Sequence, residues 1–268
     1  MAEAPPAAPR AGLLLVLLLS GCIDHLLEAP YILATGVGPE PLAMSLTPRH
    51  SLLVGGLGGL REVDGSGAVQ ILRSGEARAV ASHLGWLAFA DAQGVLFQLD
   101  SGAELRVPLP EVRALQAWCD ASLLALSPTG IWLLRPDGSP PRLWAAALPG
   151  SVDITLSPGP PCEAVLQLSP DALHRSDPQG SQPLASALEG ARAVATDRLG
   201  RAWVLHGQPL VLAQIEAGQA RTIARHVGDA RDLSFGNGGL LHSDSAWLLI
   251  GDGRVDYLPV AMPPSLGE

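Results

Sequence analysis

Four arginines of this chain stand at like positions. Arg78, Arg113, Arg192 and Arg231 each precede by two residues an apolar residue, Val80, Leu115, Val194 or Leu233, that belongs to a short apolar run. A guanidinium presents five donors in a rigid fork that suits a planar anion, so a ring of them would draw a carboxylate, a phosphate or an acidic peptide. The same spacing admits a plainer use, because Glu76, Glu111 and Asp229 lie two residues before three of the arginines and could hold them in local ion pairs. Near Ile154 the matching position is Asp153 or Val152, depending on register.

A second group, Asp91, His206, His242 and Asp244, falls at or beyond the ends of apolar runs. Neutral imidazole is a common transition-metal ligand, yet two histidines without a third ligand make a weak metal site. His206 and His242 therefore stay weak candidates, and no cofactor is expected. The chain has no GxSxG, HExxH, phosphate-loop or dinucleotide fingerprint. With neither a nucleophile and its base nor a metal cluster legible, the expectation is a protein that is not an enzyme.

The elements that must position these residues are short strands. Apolar runs of four to six residues recur between Gly, Pro and Asp signals, which is the pattern of antiparallel β structure. Turns with an acidic residue followed by glycine end at Gly67, Gly102, Gly138, Gly180, Gly218 and Gly253, which lie 35, 36, 42, 38 and 35 residues apart. Aspartate bonds its own turn backbone and glycine accepts positive φ, so each reads as a hairpin. Two further landmarks keep the same period. One opens a run just before each turn, at Gly59, Gly94, Gly130, Ala172, Pro209 and Ala246; the other opens each unit, at Leu46, Val80, Leu115, Ile154, Val194 and Leu233.

Six such units, each reading as four strands, predict an all-β fold, a six-bladed β-propeller of four-stranded antiparallel blades. The blades are expected at about 34–75, 76–110, 111–150, 151–190, 191–228 and 229–264, within a propeller spanning 31–268. Each of the six units reads as owning four strands, which leaves Tyr31 to Ala34 either to clasp the last blade or to lead away from the lipid. The phrase from Ala195 to Val204, ATDRLGRAWV, resembles the recurrent phrase of NHL-type and SMP-30-like six-bladed propellers. Lactonases of that class use acidic and amide ligands that project from inner strands toward a central metal. Here the inner strands offer mainly Asp153 and Asp232.

The N-terminus reads as an address. Ala11 to Leu19 is apolar, follows Arg10 and gives way to Ser20, Gly21 and Cys22, too short for a spanning helix and suited to a signal peptide. Leu19-Ser20-Gly21-Cys22 resembles the lipobox of bacterial lipoproteins. The resemblance implies a signal peptide at 1–21, lipidation of Cys22, and a short linker over 22–30. Ile23 directly after the cysteine leans toward the outer rather than the inner membrane.

Once Cys22 is lipidated, Cys119 and Cys162 remain as an even pair in an oxidising, periplasm-facing compartment, either bridged or as two thiols beside Trp118 and Pro161. Trp86, Trp132, Trp203 and Trp247 are expected in the core, with Trp118 and Trp144 as exposed contact points.

Composition sets the outer limits. The 268 residues carry 26 acidic side chains and 17 basic ones, every one an arginine, for a formal net charge of -9. A nucleic-acid partner is thereby disfavoured. At 47% hydrophobic residues the chain buries a core and is no solvated, disordered polymer. The expectation is a non-catalytic lipoprotein scaffold of the cell envelope, held to the membrane by its lipid and bound to an envelope protein. The alternative is an anion- or metal-dependent, ligand-binding or lactonase-like propeller that works at its channel mouth.

Overall fold

The computed structural model describes residues 31–160, 162–197, 199–225, 227–235 and 245–259. Within them it has twenty-four strands and no helix. The strand β1 (Tyr31–Thr35) precedes blade 1, which is β2 (Pro41–Leu46), β3 (Leu52–Gly56), β4 (Gly59–Val63) and β5 (Val69–Arg73). Blade 2 is β6 (Ala79–His83), β7 (Trp86–Asp91), β8 (Gly94–Leu99) and β9 (Glu104–Val107). Blade 3 follows as β10 (Ala114–Ala117), β11 (Leu123–Ser127), β12 (Gly130–Leu134) and β13 (Arg142–Ala145). In blade 4 the strands are β14 (Asp153–Leu156), β15 (Val165–Leu168), β16 (Ala172–Asp177) and β17 (Gly180–Ser186), and in blade 5 they are β18 (Ala193–Thr196), β19 (Ala202–His206), β20 (Val211–Glu216) and β21 (Gln219–Ala224). The last three are β22 (Ala230–Phe235), β23 (Ser245–Ile250) and β24 (Arg254–Pro259).

These make six antiparallel four-stranded sheets, the six-bladed propeller that the repeat predicts. The sixth blade corrects one detail. Its order is β1-β24-β23-β22, so its outermost strand comes from the opposite end of the chain, with Tyr31 paired to Tyr257 and Thr35 to Arg254. The sixth unit thus owns three strands, and the turn at Asp252-Gly253 joins its second and third strands rather than its third and fourth. Ala246-Trp247 likewise lies on the second strand. Because the fourth strand of this blade comes from the N-terminal end, the landmarks fall one strand earlier here than in the other blades. Blade 1 is also offset, since Met44 and not Leu46 holds the place of Val80 and Val194.

The core lies between blades. Second strands are buried on both faces, as Leu123–Ser127 is throughout, and so read as largely apolar runs without alternation. Trp86 meets Phe97 edge-on at 5.3 Å within blade 2, and both pack against Leu115, Leu123 and Leu134 of blade 3. Trp203 and Phe235 join blades 5 and 6 with ring centres 5.0 Å apart, and Tyr31 stacks on Tyr257 across the closing pair. Trp118 departs from expectation: it is buried and packs at 5.1 Å against Trp144, because the turn after β10 folds back under blade 3.

The Asp197 phrase also has a physical account. Its carboxylate accepts the backbone N–H groups of Leu199 and Arg201, the Arg201 Nε, and the Trp203 Nε1 at 3.0 Å. Gly200 supplies the positive φ that brings the chain round. One aspartate therefore organises the first hairpin of blade 5 and pins its core tryptophan.

Candidate active site in the central channel

The six first strands surround a central cavity of about 840 Å³. Each enters from the same face, here called the mouth. Read in blade order, the equivalent position at the mouth is Leu42, Arg78, Arg113, Val152, Arg192 and Arg231, all but Arg78 lining the channel, which settles the register of blade 4 on Val152. One residue deeper stand Ala43, Ala79, Ala114, Asp153, Ala193 and Asp232. Four blades carry alanine at this position, Ala193 packing into the core between blades 5 and 6, and two carry aspartate facing the channel.

Those two carboxyls are held alike. The Asp153 Oδ1 accepts the N–H of Ile154 and its Oδ2 the N–H of Val194 in the next blade, each at 2.8 Å. The Asp232 Oδ1 accepts the N–H of Leu233 at 2.7 Å, and its Oδ2 accepts that of Met44 at 2.5 Å, across the seam where blade 6 meets blade 1. Each aspartate therefore ties its own first strand to the next one.

Both side chains are half-buried by surface measure, because the channel reaches them, yet lie deep among protein atoms. Loss of water pushes Asp153 well above the usual carboxylate range, and the nearby Asp232 charge adds to the effect. Burial raises Asp232 to about 6, against the opposing pull of the Met44 and Leu233 N–H groups. Two interacting carboxyls titrate as a pair. Where one of the two has ionised and the other keeps its proton, the pair offers a proton acceptor and a proton donor, the combination that general acid–base chemistry needs.

The arginines divide. Arg113, Arg192 and Arg231 line the channel, whereas Arg78 does not and pairs through Nε with Glu76 at 2.7 Å. Asp229 takes Arg192 on Oδ1 at 2.9 Å and Arg231 on Oδ2 at 2.8 Å, bridging blades 5 and 6. Arg113 donates Nη1 to the Ser151 carbonyl at 2.7 Å, and among the described residues it forms no ion pair with Glu111. The local ion-pair reading thus holds for Arg78 and Arg231 and fails for Arg113.

The other residues singled out lie elsewhere. Asp91 is engaged by both terminal nitrogens of Arg106, at 2.7 and 2.8 Å, which hold its carboxyl below the usual range. His206, at the end of β19, is not in the channel; burial lowers its basicity and leaves its Nε2 unpartnered. His242, Asp244 and Cys22 lie outside the described residues. Cys119 and Cys162 form a disulfide with Cα atoms 5.8 Å apart, linking the first hairpins of blades 3 and 4 on the face opposite the mouth.

The acidic and amide metal ligands of propeller lactonases have no counterpart set here. Among the described residues no three His, Cys, Asp or Glu side chains converge. The amide lining the channel, Gln116, gives its Nε2 to the Ala117 carbonyl. These residues do not fit that metal.

No known family model and no curated protein matches the sequence. Solved structures do resemble the fold. A streptogramin B lyase superposes with a TM-score of 0.59 at 13% identity, over 88% of this chain and 87% of that one. A gluconolactonase from Xanthomonas campestris superposes with a TM-score of 0.64 at 14% identity, over 86% and 88%. An auxiliary nutrient-binding protein from Bacteroides ovatus gives 0.65 at 12%, over 85% and 69%. Likeness at this level establishes the six-bladed propeller fold.

These likenesses correct the expectation of a non-catalytic scaffold that is not an enzyme. Propellers of this shape include lyases and gluconolactonases, and the channel here brings two carboxyls into one cavity from strands 79 positions apart in sequence. No short motif announces such a site because each blade supplies a single residue. The available signal was aspartate at two places where the other four blades carry alanine.

Proposed function

We propose that this chain is a hydrolytic propeller that opens a lactone or similar ester in its central channel. The observation that carries the reading is the Asp153–Asp232 pair, two carboxyls held at equal depth with their proton affinities raised. In the proposed step Asp232, ionised, takes a proton from water as the oxygen attacks the ester carbonyl. The ring C–O bond then breaks, and Asp153 gives its proton to the departing alkoxide. The proton on Asp232 returns to Asp153 through solvent, so the products are a hydroxy acid and the starting enzyme. The likeness to gluconolactonases supports this chemistry as an analogy of fold. The test is hydrolysis of a panel of five- and six-membered lactones by the purified propeller, followed by proton release. Turnover above the buffer rate is expected, and its absence across the panel would remove the proposal.

The chain is further proposed to be exported and lipidated at Cys22. Eight residues separate that cysteine from Tyr31. β1 runs toward the mouth, since Thr35 pairs with Arg254 beside the mouth end of β23. A lipid on Cys22, with eight residues between it and Tyr31, would leave the mouth facing away from the membrane. Acyl labelling that disappears in Cys22→Ser supports this, and labelling that persists rejects it.

A further inference from the structure

The arginines at the mouth are arranged for more than holding blades together. Asp229 neutralises one of the two guanidiniums it touches, so the Arg192–Asp229–Arg231 trio keeps one net positive charge, and Arg113 adds a second unpaired by any carboxylate among the described residues. This local excess of positive charge belongs to a chain of net charge -9. Glu111 and Glu76 are the nearest acidic residues in sequence to Arg113 and Arg78, and Glu76 is spent on Arg78.

The trio is seated on bare backbone. A β-carbon at Gly251 would come within 2.6 Å of the Asp229 Oδ2 and 2.9 Å of the Arg231 Nε, although the φ there does not require glycine. The absent side chain makes room for the clamp. Its position relative to the acids is set by sequence: Arg231 directly precedes Asp232, and Arg192 lies two residues before Val194, whose N–H Asp153 holds.

We infer that Arg192, Arg231 and Arg113 bind a carboxylate on the substrate, so that the channel prefers lactones bearing a free carboxylate over neutral ones. This rests on the hydrolytic reading for its chemistry but not for its binding. A guanidinium fork matches a carboxylate in two parallel hydrogen bonds, and the single charge left on the trio matches a monoanion. With the carboxylate at the mouth, the lactone ring would reach the Asp153–Asp232 level below.

The matched probes are glucaro-1,4-lactone and glucono-1,4-lactone, which differ in a carboxylate against a hydroxymethyl group. The charged lactone is expected to show about tenfold or greater kcat/KM, mostly through KM. Arg192→Gln with Arg231→Gln should erase that preference and Gly251→Ala should reduce it, while Arg78→Gln, outside the channel, should retain it. Equal kcat/KM for the two lactones in the unaltered protein overturns the inference, as does a stronger preference for a lactone bearing a phosphate monoester. Calorimetry with Asp153→Asn/Asp232→Asn separates the two ideas. If the unaltered protein hydrolyses neither lactone, but the charged one binds to it and to the double asparagine variant and the arginine substitutions abolish that binding, the hydrolytic reading fails and the carboxylate site stands. If the charged lactone neither binds nor reacts, the carboxylate site fails too.

Discussion

Asp232→Asn is expected to lower lactone hydrolysis by about 10²- to 10⁴-fold, the range typical of a lost general base. The amide removes the charge that would take a proton from water. Asp153→Asn should cost a comparable factor by removing the donor to the leaving alkoxide, and the double variant should be little worse than either single one, because the two act as a unit. In the unaltered enzyme the rate should rise with pH through about 6, where Asp232 ionises, and fall again as the more strongly raised Asp153 loses its proton. Initial rates across that range check this, and a flat profile would mean that these carboxyls are not the acid and base.

The same pair makes a stability prediction of definite sign. A carboxyl whose affinity for its proton is higher in the folded state contributes stability below its unfolded value of 3.8 and loses that contribution as pH rises through about 6. Relative to the unaltered protein, the double asparagine variant should therefore gain stability between about pH 4 and 7. Urea unfolding at several pH values reads this directly, and a relative loss over that window contradicts the raised affinities.

Opening the Cys119–Cys162 bridge is the largest expected effect on stability. It closes a segment with a sequence separation of 43, and the chain-entropy relation puts its contribution at about 4 kcal/mol, roughly a thousandfold in the folding equilibrium. The bridge joins blades 3 and 4 on the face away from the mouth. The neighbouring junctions between blades 4 and 5 and between blades 6 and 1 are tied from within the channel by Asp153 and Asp232. Cys119→Ser/Cys162→Ser, or treatment with a reductant, should lower the urea midpoint accordingly while leaving the shape of the channel intact. An unchanged midpoint would mean that the reduced chain loses no constraint.

Local patterns carried most of the architecture into the sequence. The period of turns and apolar strands, the six blades and the place of the arginines at the start of four first strands are set by interactions within some forty residues, where spacing and residue type suffice. That Tyr31 to Ala34 clasps the last blade was one of two alternatives the sequence left open, because Tyr31 meets Tyr257 through a pairing that no local period encodes. The landmarks of blade 6 were misplaced for the same reason: with its outermost strand supplied by Tyr31–Thr35, the turn at Asp252-Gly253 joins its second and third strands. Trp118 could not be assigned to the core from its position near a strand end, since its neighbour Trp144 comes from the fourth strand of the same blade.

The site follows the same division. The chain by itself specified aspartate at 153 and 232 and arginine at 113, 192 and 231. Only closure of the ring set the two carboxyls in one cavity, gave each an N–H from the next blade, and removed the water that would have kept both of them ordinary acids. Proton affinity depends on that shared, dehydrated space, which a linear sequence does not contain.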